Sequence, residues 1–128
     1  MHRDRALLTF MIAYGAASLA HFVHNAVYID VYPNLPAWLT PVVVYASWLA
    51  IAGTGAFGYW LHRRGSRVVG LAVIGMYALL GFGGLDHYAV APVAAHSMAI
   101  NATILGEVIA ASVLLVVIVR IGISSRSR

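Results

Sequence analysis

Apolar residues fill four long runs, at about residues 6–31, 41–61, 68–85 and 92–119, and short polar breaks separate them. A helix needs ~20 apolar residues to cross the hydrocarbon core of a bilayer, so each run is read as one span. The breaks carry turn chemistry. Tyr32-Pro-Asn-Leu-Pro-Ala-Trp38 holds two prolines and an asparagine, and its end rings suit the membrane interface. Thr40-Pro41 reads as an N-cap followed by proline in the first helical position. Ser66 offers a cap for the third run, which loosens at Gly81-Phe-Gly-Gly84, and residues 86–91 form the next connection. Pro92 is expected to open the fourth helix. The pattern predicts an all-α integral membrane protein: one domain over residues 1–128, a four-transmembrane-helix bundle with short connecting loops.

Polar positions inside the runs are few and patterned. At 3.6 residues per turn, Tyr14, Ser18, His21, His24, Asn25 and Tyr28 share one face of the first helix. His96, Thr103 and Glu107 share a face of the fourth, with Asn101 beside it. Such a stripe is costly against lipid, so it is expected to face the bundle interior. Counting inward at the helical rise, His24 lies about 10 Å deep, His21 about 15 Å and Glu107 about 22 Å, with His96 near the level of His24. Asp86 and His87 are expected at the mouth. A carboxyl near the midplane is expected to carry its proton, as a relay, a general acid or a hydrogen-bond donor to Ser18 or Tyr14.

Composition supports the membrane reading. The chain is 62% hydrophobic and 9% charged, whereas soluble domains carry about 25% charged residues. The basic balance comes from eight arginines and no lysine. Arg3 and Arg5 precede the first span; Arg63, Arg64 and Arg67 lie between the second and third; Arg120, Arg126 and Arg128 follow the fourth. All therefore fall on one side. The positive-inside rule makes that side cytoplasmic, with both termini, in the cell (inner) membrane. Arginines beside apolar segments anchor a multi-pass protein and do not suggest nucleic acid. The basic start and Ser18-Leu-Ala20 also fit a signal peptide cleaved after Ala20, but the apolar run continues to Val31, so the first span is expected to stay.

The absence of cysteine excludes thiolate sites and cysteine nucleophiles. The chemistry then rests on histidine. His21 and His24 at i and i+3 could aim at one ion, and His96 from another helix would add a third ligand, with Asp86 and His87 as further donors. Such a set suits zinc, copper or iron, and two histidines on different helices could hold a haem. Asn25, Tyr28 and Asn101 would line the pocket. The first expectation is thus a histidine-rich pocket open to the extracytoplasmic side, binding a metal ion or metal cofactor for redox chemistry or metal handling. A second is a metal-free enzyme or receptor for a small apolar, lipid-like ligand, with Glu107 and a histidine as acid and base. A third is a structural subunit whose polar stripe docks a copy of itself or another membrane protein. The null case is that His21, His24 and Asn25 are hydrogen-bond glue between helices, worth ~1 kcal/mol or less each.

Overall fold

The computed structural model describes residues 2–126, and among them there is no strand. Arg128 of the arginine pattern lies outside the described residues. Helix α1 spans His2–Val27, α2 Pro41–Arg63 and α3 Arg67–Leu80. A 3-10 segment, Gly81–Asp86, leads into the one-turn helix α4, His87–Val90, and α5 spans Met98–Arg126. Four helical stretches are long and apolar enough to cross a membrane: Asp4–Val27, Pro41–Arg63, Arg67–Val90 and Met98–Ser124. Helix α1 packs on α2 and α5, and α3 packs on the same two, so the bundle closes as a ring.

Local chemistry explains most of the boundaries. Thr40 caps α2 as expected: its Oγ1 accepts from Val43 N at 3.4 Å, with Pro41 in the first turn. Ser66 stands before α3 without a side-chain cap. The Gly-rich stretch tightens into 3-10 geometry, and the third span then resumes for one turn. Two ends differ from the sequence reading. Helix α1 stops at Val27, and Ile29–Val31 forms a separate 3-10 turn. The last helix begins at Met98 and not at Pro92, because Ser97 Oγ accepts from Ile100 N at 3.2 Å and caps it. Residues 91–97 are a mostly extended connection containing a single 3-10 turn, Val93–Ala95.

The main core joins Leu7, Met11 and Tyr14 of α1, Leu71, Ile74 and Tyr77 of α3, and Ala111 and Leu114 of α5. Helix α2 lies flat on this core through small residues. A Cβ at Gly55 would come within 2.8 Å of the Tyr77 ring, so only glycine permits that approach. Gly53, on the same helix, faces open space. A second cluster at the other end holds Tyr32 against Ile100 and Ile104.

The helix starts and ends sort into two levels. Arg5, Arg63, Arg64, Arg67 and Arg120 sit where α1 and α3 begin and α2 and α5 near their ends, here termed the arginine end. The connections at 28–40 and 91–97 make up the loop end. At the arginine end, Asp4 joins α1 to α2: its carboxylate meets His62 Nε2 at 3.1 Å and Arg63 Nη1 at 3.7 Å.

Candidate functional site

The interior polar side chains form a line from the loop end to the middle of the bundle. Ser18, His21 and Asn25 project from α1 and Glu107 from α5, all buried, and His96 is buried just before α5. Glu107 Oε2 lies 3.9 Å from His21 Nε2, with the two side chains 1% and 3% exposed. Ser18 sits between Glu107 and Tyr14, and Tyr14 packs on Tyr77 with ring centroids 4.5 Å apart. Gly84 makes room for the pair. A Cβ there would stand 3.3 Å from Glu107 Oε2 and 3.8 Å from His21 Nε2.

Hydrogen-bond partners orient the rings. Thr103 Oγ1 donates to Ile100 O at 2.9 Å, so it accepts from His21 Nδ1–H at 3.4 Å. The lone pair of His21 is then on Nε2, facing Glu107. His96 Nδ1–H donates to Pro92 O at 3.0 Å, which leaves its buried Nε2 as an acceptor with no partner. Asn25 Nδ2 donates to His87 Nε2 at 3.3 Å. All three imidazoles are thereby held through one nitrogen. The His87 ring stands between the other two, with centroids 5.4 Å from His21 and 6.2 Å from His96.

The predicted residues separate into those the fold gathers and those it does not. His21, His96, Asn25 and Glu107 enter the line, and His87, expected at its mouth as a further donor, is its centre. His24 turns aside: its Nδ1 meets Tyr32 Oη at 2.9 Å, and its ring packs on Tyr28 at 4.7 Å. His21, His24 and His96 therefore do not converge on one point. Among the described residues, no group of three or more His, Asp or Glu side chains could hold a metal ion. Asp86 is exposed. Asn101 serves the backbone, since its Nδ2 donates to Val93 O and His96 O, both at 3.2 Å, and its Oδ1 accepts from Tyr88 Oη at 2.8 Å. Tyr32 is the residue that sequence reasoning missed. The sequence suggests an interface ring, yet it is 4% exposed and its ring lies 5.0 Å from His87. Burial pushes its hydroxyl above the ordinary tyrosine value, with a hydrogen bond to Thr103 opposing this, so the group stays an O–H.

Below Tyr14 and Tyr77 the polar line ends. Leu7, Met11, Leu71, Ile74 and Leu114 fill the interior from there to the arginine end. Asp4 is ten positions from Tyr14 on α1, about 15 Å at the helical rise.

Comparison with protein families, with curated proteins and with solved structures finds no match for this chain.

Proposed function

We propose that this is a four-span inner-membrane protein with both termini cytoplasmic, and that its buried Glu107–His21 pair exchanges a proton with the loop end through His87 and His96. The observation that carries this reading is the pair itself. A carboxyl oxygen faces an imidazole lone pair at 3.9 Å, with both side chains almost wholly buried. Intramembrane carboxyl and imidazole groups in contact suit proton relay or general acid–base work. At 3.9 Å the two groups are not hydrogen-bonded, so transfer needs a small approach or one bridging water. The rings of His87 and His96 continue the path outward, with centroids 5.4 Å from His21 to His87 and 6.2 Å from His87 to His96. Infrared difference spectroscopy across a pH jump tests the reading. A protonated-carboxyl band that responds to the jump and is lost in Glu107→Gln supports it, whereas a pH-silent Glu107 ends it.

A second reading keeps the metal ion, on one observation. Asn25 Oδ1, His96 Nε2 and Glu107 Oε2 are buried acceptors without partners, and a cation would satisfy such a set. Each histidine is also fixed through its other nitrogen, as metal-bound histidines are. Without a preformed three-residue group, the side chains would have to rotate to reach one ion. Elemental analysis and an absorption spectrum of the purified protein decide between the two: stoichiometric zinc, copper, iron or haem favours the second.

A further inference from the structure

A groove opens on the surface beside the buried line. It lies between the end of α1 and the start of α5, encloses about 450 Å³ and is lined by His24, Tyr28, Val31, Ser97, Ala99 and Ile100. Three of these are apolar, three (His24, Tyr28 and Ser97) carry hydrogen-bonding groups, and none is an acid, lysine or arginine. Tyr28 is 51% exposed and Val31 63% exposed, so the groove opens on the outside of the bundle where an apolar span ends. Its histidine is tied inward, His24 Nδ1 to Tyr32 Oη at 2.9 Å and the Tyr32 ring to His87 at 5.0 Å.

We propose that this groove binds an uncharged amphiphile drawn from the bilayer, its hydroxyl or carbonyl head on His24 and Ser97 and its hydrocarbon along Val31, Ala99 and Ile100. The lining selects this chemistry. A charged head would find no acid, lysine or arginine there and would lose hydration on entry. A purely apolar molecule would bury His24 Nε2 and the Ser97 hydroxyl hydrogen against hydrocarbon without a partner. Ser97 Oγ already accepts from Ile100 N at 3.2 Å, so its hydrogen remains available to a carbonyl or hydroxyl oxygen. Tyr32 then links the occupied groove to His87. The proposal stands independently of the proton-exchange reading.

Photolabelling tests it, with the full chain in phosphatidylcholine nanodiscs and a long-chain alcohol carrying a diazirine as probe. Labelling is expected on residues 24–31 and 97–100, competed by a monoacylglycerol and not by phosphatidylglycerol. His24→Phe keeps a ring and removes the hydrogen bond, and should lower labelling about three- to ten-fold. His24→Gln, which keeps a donor and an acceptor, should restore part of it. Labelling confined to other helices, equal competition by phosphatidylglycerol, or full labelling of His24→Phe would each overturn the proposal. Glu107→Gln should label like the native chain, so a silent Glu107 in the infrared experiment defeats proton exchange without touching the groove.

Discussion

Glu107 is the residue on which the interior depends most. Its carboxyl is 1% exposed, and Oε2 is left without a hydrogen bond beside Ser18 and His21. An isosteric amide fills the same space and offers a donor and an acceptor. Glu107→Gln should therefore keep the fold, with an unfolding free energy within about 1 kcal/mol of the native protein. Glu107→Ala opens a hole and strands its neighbours, and should lose about 1–3 kcal/mol. Thermal unfolding in detergent measures both. Equal losses in the two variants would show that the carboxyl group itself, and not the space it fills, matters at this position. The Gln variant also separates roles, because a proton exchanger loses activity in it while a packing residue does not.

At the level of elements, the connection 91–97 is where sequence and structure part. The apolar runs, the Thr40-Pro41 cap and the shared face of Tyr14, Ser18, His21 and Asn25 are legible because each depends on local chemistry or helical period alone. The start of α5 was not, because Pro92 and Ser97 both carry start signals and the Ser97 cap wins. The place of His87 was hidden for a different reason. Six residues of 3-10 geometry precede it, at 3.0 residues per turn, and they reset the direction in which its ring points. His24 was misdirected because its partner, Tyr32, lies on a loop whose path is set by packing on Ile100 and Ile104. Asn101 is expected to hold this region together, since it bonds two backbone carbonyls of the connection and the Tyr88 hydroxyl. Asn101→Ala should leave the long helices intact and speed amide exchange across 91–97. The His96 carbonyl and the Tyr88 hydroxyl are part-buried, and stranding them costs about 1 kcal/mol or more, so local opening should rise at least several-fold. Unchanged exchange there would mean that the connection is held by other contacts.

For the whole molecule, the arginine pattern makes the bundle polar from end to end. Reporter fusions after Arg128 should be active in the cytoplasm and fusions at Asn34 active outside; a cytoplasmic Asn34 would invert the proposed orientation. The apolar packing of Leu7, Met11, Leu71, Ile74 and Leu114 then has an electrical consequence. It closes the polar line on the arginine side, so the line is a dead-ended well and not a conductor. Glu107 is nine residues inside α5, about 14 Å, or roughly half of a hydrocarbon core of about 30 Å. In the proposed orientation, a proton entering this well from the loop end would cross about half of the membrane field, worth roughly 1.1 kcal/mol per 100 mV. Voltage steps on oriented membranes should displace a transient charge of about half an elementary charge per molecule, with no steady current. Glu107→Gln should abolish the transient, and a sustained proton current would show that the apolar floor leaks.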